Sequence, residues 1–283
     1  MTLLILSAPA KINLSLDVLY KRDDGYHELK MIMQTLEIHD TVTLETINSG
    51  IQVECDCEWV PTNSDNIAAK AAALILDKYG IKNGLRIKIN KRIPVAAGLA
   101  GGSADAAAVL NGINRMFSLG IETEELMRLG KQLGADVPYC VRGGTMLAEG
   151  IGEILTELEP FINVHIVLIK PKVSVSTTWV FKNLGLDTIS VRPDTNLMID
   201  AISQKDIKMV AENMRNVLES VTVLKYHIVQ QAKERLVELG AMGSMMSGSG
   251  PTVFGIFTDI EAAKKAYLAA GDKRWDCFLT YTI

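Results

Sequence analysis

Residues 94–105 read Pro-Val-Ala-Ala-Gly-Leu-Ala-Gly-Gly-Ser-Ala-Asp and separate two different periodicities. Before them, 85–91 (LRIKINK) alternates apolar and polar residues with the period of two expected of a half-buried strand. After them, 104–116 is alanine-rich, the composition that costs the backbone least in a helix. Glycines at such a strand-to-helix junction let backbone N–H groups approach an anion without Cβ atoms in the way. The helix that follows turns its positive end, about half a charge, on the same point. Ser103 adds a hydroxyl, and together these residues form a phosphate cradle. The same residues also permit a tight turn built for close packing, and the loop alone leaves both readings open.

Other nucleotide loops are excluded by spacing. No Gly-Lys-[Ser/Thr] follows the glycines, so this is not a Walker A loop. Gly98-Leu-Ala-Gly101 breaks the first spacing of the G-x-G-x-x-G dinucleotide fingerprint. The H-R-D and D-F-G signatures of protein kinases are absent. The cradle is a third kind of nucleotide loop, or none.

Composition limits the partners. With 48% hydrophobic and 22% charged residues the chain is ordinary globular material, and its 283 residues suggest one large domain or two of common size. A net charge of −4 without a basic run argues against nucleic acid. The four cysteines, Cys55, Cys57, Cys140 and Cys277, form one C-x-C pair and two singletons. That spacing reads as reduced thiols of a cytosolic protein rather than a disulfide framework or a zinc site. The apolar opening MTLLILS is too short for a signal core, and no 18-residue apolar window exists. The expectation is a cytoplasmic protein with no membrane partner.

Along the chain, 3–7 and 12–20 read as strands, the second with Ile12, Leu14, Leu16 and Val18 on one face. Asp23-Asp24-Gly25 predicts a turn returning through 28–38, with further strands at 41–47 and 51–55. Asp65 or Asn66 caps a helix closed by Gly80, and another helix runs from Thr123 to about Gly134. Strands follow at 144–148, 153–157 and 164–169, then helices near 176–183, 205–217 and 225–239. The tail reads strand 242–246, turn SGSGP, strand 252–257, helix 260–270 and strand 275–281. The fold class is α+β: a strand-rich first half, then a half able to close as a ferredoxin-like split βαβ sandwich. The boundary falls between about 155 and 165, giving domains 1–158 and 159–283.

Four more constellations carry chemistry. In Pro9-Ala-Lys11-Ile-Asn13-Leu, Lys11 and Asn13 sit two apart on a strand and share a face. A lysine there neutralises phosphate or activates a neighbouring hydroxyl, unless it merely snorkels at the surface. Leu133-Gly-Ala-Asp136-Val-Pro fixes an acid in a turn, either a backbone acceptor or a general base. Asp24-Gly-Tyr26-His27-Glu is a hairpin turn with an aromatic beside an imidazole. Ser247-Gly-Ser-Gly-Pro251 is an anion-facing loop or a plain hairpin connection.

The order P-A-K-I-N-L, D-G-Y-H-E, P-V-A-A-G-L-A-G-G-S-A-D-A-A, L-G-A-D-V-P and M-S-G-S-G-P-T resembles the GHMP small-molecule kinases over about residues 8 to 257. The D-G-Y-H-E element is similar to that of members acting on a cytidylated methylerythritol. The resemblance implies a two-domain architecture with an amino-terminal ATP-binding domain. It implies transfer of the ATP γ-phosphoryl group to the 2-hydroxyl of 4-diphosphocytidyl-2-C-methyl-D-erythritol, with Mg²⁺ bridging phosphate oxygens. Lys11 and Asp136 fall on the family's catalytic pair, Asp136 as general base and Lys11 positioning and polarising the hydroxyl. The ATP loop falls on Pro94, Val95, Ala96, Ala97, Gly98, Leu99, Ala100, Gly101, Gly102, Ser103 and Ala104. Tyr26, His27 and Phe181 match the cytosine clamp, Asn13 and Thr177 match hydroxyl contacts, and Asn66 falls near the adenine.

The family loop often has glycine where this chain has Ala96, Ala97 and Ala100, so these positions are expected at ordinary negative φ. The implied partners are small molecules only, with a monomer or weak homodimer as the assembly. Two rivals keep the fold: a kinase for homoserine, mevalonate or a sugar, and a non-catalytic ligand-binding paralogue. D-G-Y-H-E speaks against the first, since those acceptors carry no base to stack, and intact Lys11 and Asp136 speak against the second.

Overall fold

In a computed structural model that describes residues 2–283, the chain opens with two long strands, β1 (Leu3–Lys21) and β2 (His27–Ile47). Next come β3 (Ile51–Cys55), α1 (Ile67–Lys78), β4 (Gly84–Asn90), α2 (Gly101–Met116), α3 (Thr123–Lys131) and α4 (Val137–Arg142). Then follow β5 (Thr145–Gly150), β6 (Ile154–Glu157), β7 (His165–Pro171), α5 (Thr177–Lys182), α6 (Thr195–Ser203), α7 (Ile207–Asn213) and β8 (Arg215–Asn216). The last elements are α8 (Glu219–Lys225), α9 (His227–Glu238), β9 (Gly243–Met246), β10 (Val253–Phe257), α10 (Ile260–Ala269) and β11 (Trp275–Tyr281). Two compact units result, each discontinuous in sequence. The first takes the chain up to Ala10, 38–95 and 100–143; the second takes 11–37, 96–99 and 144–283.

In the first unit the second half of β2 pairs antiparallel with β4, from Thr41 opposite Asn90 to Ile47 opposite Gly84, and β3 adds in parallel. Small residues let the helices close on this sheet. Ala68, Ala71 and Ala72 of α1 and Ala104, Ala106 and Ala107 of α2 are fully buried. Gly112 lets α2 come close: a Cβ there would stand 2.5 Å from the side-chain tips of both Leu6 and Leu44, which would have to move. The side-chain oxygen of Asn66 caps α1 by accepting from the Ala68 N–H.

In the second unit the first half of β2 pairs with β5, and β5 with β6. A separate four-stranded antiparallel sheet has the order β11-β7-β10-β9. The succession β7-α9-β9-β10-α10-β11 in that order is the split βαβ sandwich expected from sequence. Phe254, Ile256 and Phe257 fill its centre, and the Trp275 indole N–H donates to the Ala270 carbonyl at 2.9 Å.

Several local expectations are corrected. β1 runs unbroken through Pro9, where two strands were expected. The helix expected over 205–217 stops at Asn213, because Arg215 and Asn216 leave it to pair in parallel with Ser15 and Leu16 of β1. α2 begins at Gly101 rather than 104, and the short helices α4, α6 and α8 were not anticipated.

Candidate active site

The second unit builds a cradle around Ala96–Leu99. The Lys11 N–H of β1 donates to the Leu99 carbonyl at 3.1 Å, tying that strand to the loop. From the other side the turn between β9 and β10 buttresses it. The Ser247 hydroxyl donates to the Gly98 carbonyl at 2.9 Å, and the Thr252 N–H to the Ala97 carbonyl at 3.3 Å. Gly98 has φ +77°, and a Cβ on it would run into the Ser247 carbonyl oxygen. Ser247–Pro251 therefore connects a hairpin and, in doing so, supports the glycine loop.

Ala96 and Ala100 overturn the expectation of ordinary backbone, with φ of 51° and 58°. Alanine in that region costs about 1–2 kcal/mol, and the flanking contacts hold the loop there regardless. Ala97 alone of the three stays at negative φ.

Lys11 is a buried lysine, 4% exposed, and its ammonium donates to Asn13 Oδ1 at 2.8 Å. Lys11, Asn13, Ser15 and Asp17 make a buried polar stripe on one face of β1, opposite the apolar Ile12, Leu14, Leu16 and Val18. The snorkelling reading of Lys11 is thereby set aside. Asn13 Nδ2 donates to the Met31 sulfur at 3.1 Å, a weak acceptor.

The aromatic group also lies in the second unit. His27 stacks on Phe181 with ring centroids 5.1 Å apart and planes 30° from parallel. Burial first, and the Lys21 cation second, hold the His27 imidazole below its ordinary pKa. Tyr26 is 59% exposed on the turn, whose Arg22 bonds both Asp24 and Glu28. Phe181 is carried by α5, where Lys225 lies 3.8 Å over the Trp179 ring. Thr177, first residue of α5, shares a 2.8 Å hydrogen bond with Ser249.

In the first unit Gly101, Gly102 and Ser103 open α2, and no side chain caps it. Those leading N–H groups are the kind a phosphate satisfies. Beneath them Asp40 accepts from the backbone N–H of Arg92 and Ile93 at 2.6 and 2.8 Å and pairs with Lys91. Lys91 also bonds Asp105 at 2.9 Å. Burial pulls the Lys91 ammonium down, but the Asp105 and Asp40 carboxylates outweigh it and leave its pKa raised. Asp136 is half-buried at the head of α4, followed by Val137 and Pro138, and does not cap that helix with its side chain. Asn66 spends both side-chain groups locally, its Nδ2 donating to the Pro61 carbonyl at 2.7 Å and its oxygen capping α1.

Sequence reasoning missed two groups. Asp40, Lys91 and Asp105 are far apart in the chain, and only the run into the glycine loop hinted at Lys91. Asn216 gives Nδ2 to the carbonyls of Met246 and Gly248, at 2.9 and 2.7 Å, and accepts from the Leu218 N–H. It thus holds the turn that supports Gly98, and no motif marks it. Among the described residues no group of three or more His, Cys, Asp or Glu could hold a metal ion, and no helix is long and apolar enough to cross a membrane.

Known proteins share this fold. The chain matches the GHMP kinases N terminal domain over residues 66–144 and the GHMP kinases C terminal domain over 198–276. It is 59% identical to a protein of Acetivibrio thermocellus named 4-diphosphocytidyl-2-C-methyl-D-erythritol kinase, over 98% of both chains. A protein of the same name from Clostridium botulinum is 51% identical, over 98% of this chain and 99% of its own. Among solved structures, a 4-(cytidine 5'-diphospho)-2C-methyl-D-erythritol kinase superposes with TM-score 0.85 at 30% identity, covering 99% of each chain. A homoserine kinase of Cytophaga hutchinsonii, TM-score 0.78 at 19% identity over 100% of this chain and 95% of its own, shares the fold. With both family domains matched and relatives aligned from end to end, the chain belongs to the GHMP kinases.

Proposed function

We propose that this GHMP kinase transfers the γ-phosphoryl group of ATP to the 2-hydroxyl of 4-diphosphocytidyl-2-C-methyl-D-erythritol, a step of non-mevalonate isoprenoid precursor synthesis. Full-length relatives at 59% and 51% identity carry that activity in their names. The observation that carries the reading is Lys11: a lysine buried on a strand whose own backbone bonds the glycine loop. Phosphoryl transfer gathers negative charge at the reacting oxygens, and a lysine held beside the glycine loop is placed to offset it.

In this reading Pro94–Ala104 is the phosphate loop, with the uncapped N–H groups of α2 on the phosphate oxygens. Lys11, oriented by Asn13, polarises the acceptor hydroxyl. Asp136 takes the hydroxyl proton as the oxygen attacks phosphorus, and the bond to ADP breaks. Asn13 Nδ2, bonded to a thioether, a weak acceptor, is readily given to a substrate hydroxyl, and Thr177 supplies a second contact. Cytosine binds at Tyr26, His27 and Phe181. Since His27 already lies on Phe181, a base that uses both ring faces has to part them. Mg²⁺ entering with the nucleotide would offset phosphate charge, and Ser103 is the hydroxyl that would help to hold it.

The family matches at 66–144 and 198–276 lie one on each side of residue 158, which supports domains 1–158 and 159–283. The protein acts in the cytoplasm as a monomer or weak homodimer without nucleic acid.

The test is ADP release with Mg-ATP and the cytidylated methylerythritol, beside homoserine and mevalonate. Turnover of the cytidylated acceptor alone supports the reading. Turnover of homoserine or mevalonate, or ATP binding without turnover of any acceptor, overturns it.

A further inference from the structure

Three charged side chains are buried beneath the first turn of α2: Asp40 from β2, Lys91 just after β4, and Asp105 in α2 itself. Their bonding is unequal. Asp40 receives two backbone N–H groups and the Lys91 ammonium. Asp105 receives the same ammonium through Oδ2 only. Its Oδ1 is buried with no hydrogen-bond partner among the described residues, and the residue is 3% exposed. The group abuts the glycine loop, since a Cβ on Gly101 would stand 3.2 Å from the Lys91 nitrogen.

Two carboxylates sharing one ammonium leave a net charge of −1 when both are ionised. That charge lies under residues that the proposed function assigns to a polyanion, and the inference rests on that assignment. A buried carboxylate oxygen without a donor is already poorly stabilised in its charged form. An anion bound at the mouth of α2 penalises the same charge further.

We propose that Asp105 is a positioning residue of the nucleotide site: it secures Lys91 against the first turn of α2, and it takes up a proton from solvent when nucleotide phosphates bind. The step is acid–base only. The Asp105 carboxylate becomes a carboxylic acid, Lys91 stays an ammonium shared with Asp40, and no electrons move. The charges facing Asp105 are Lys91, which favours its ionised form, and Asp40, which opposes it. Burial, the largest influence, pushes Asp105 up to about 7, so a nearby anion need add little to protonate it at neutral pH.

The test is calorimetric titration of Mg-ADP into the full chain at pH 7, in buffers of different ionisation enthalpy. The dependence of heat on buffer counts the protons exchanged. A group half-protonated near pH 7 that becomes fully protonated takes up about half a proton per nucleotide. Asp105→Asn is expected to remove that half, while protons exchanged by the nucleotide itself cancel between the two proteins. Affinity of the native chain is expected to weaken from pH 6 to pH 9, about tenfold for each unit by which loading raises the Asp105 pKa. The Asn variant should lack that slope. Equal proton counts in the two proteins overturn the inference. Should the variant not fold, the native chain decides: uptake that peaks above pH 7, between the free and loaded pKa values of Asp105, and vanishes at pH 5 supports the inference, and a flat profile overturns it. Absence of any Mg-ADP binding overturns the phosphate-loop reading as well, whereas binding without proton uptake overturns this inference alone.

Discussion

Gly98→Ala probes the support of the phosphate loop from one atom. Gly98 sits at φ +77°, where an L residue costs about 1–2 kcal/mol. Ala96 and Ala100 bear that cost already, so conformation alone does not demand glycine. What distinguishes Gly98 is the backbone behind it: a Cβ runs into the Ser247 carbonyl and stands 3.1 Å from the Gly250 oxygen. Moving the Ser247 peptide away disturbs its 3.0 Å bond from the Gly250 N–H and the 2.9 Å bond from the Ser247 hydroxyl to Gly98. At about 1 kcal/mol for each bond, added to the conformational cost, the substitution should destabilise the chain by about 3–4 kcal/mol. Gly25→Ala is the control: φ is +87° with no atom within 4 Å of the new Cβ, so only the conformational cost applies. Urea unfolding reads the stability difference, and the KM for Mg-ATP reads the loop. Gly98→Ala should fall about 2 kcal/mol below Gly25→Ala, from its two disturbed bonds, with a raised KM for ATP. Equal stability of the two variants and an unchanged KM would refute the reasoning.

Two further substitutions separate the parts of the site. Asn216→Ala leaves two carbonyls and one N–H without their buried partner and should cost about 2–3 kcal/mol in urea unfolding; a change below 0.5 kcal/mol would deny it the role of holding the Ser247–Pro251 turn. Phe181→Ala removes a stacking face worth about 1–3 kcal/mol per base, so the KM for the cytidylated acceptor should rise about fivefold to 150-fold while that for ATP stays within about twofold. An equal rise in both would place Phe181 outside the acceptor site.

What was legible in the sequence follows from the reach of each signal. The glycine loop, the alternation of 85–91 and the cap at Asn66 are local patterns, and the elements appeared where they pointed. The split βαβ order was legible because it needs only the succession of strands and helices. Register was not. Arg215 and Asn216 lie in a stretch of helical pattern and become a strand because β1 offers unpaired backbone groups beside them. Asp40 and Lys91 are 51 residues apart, so no window contains their pairing. The expectation for Ala96 and Ala100 came from intrinsic preference, and contacts on both sides of the loop outweighed it. Likeness to the family pointed to both His27 and Phe181, but their direct stacking depends on where α5 packs.

Asp136 bears the central claim. It sits at the head of α4, a turn acid that sequence alone allowed to be a backbone acceptor, and its side chain does not cap that helix. The most direct measurement is the single-turnover rate of phosphoryl transfer to the cytidylated methylerythritol, for the native chain and for Asp136→Asn, with the affinities for Mg-ATP and acceptor measured in parallel. Loss of a general base should slow transfer by about 10²–10⁴-fold while both affinities stay within a few-fold. A variant that transfers phosphate within tenfold of the native rate would contradict the assignment of Asp136 as the base.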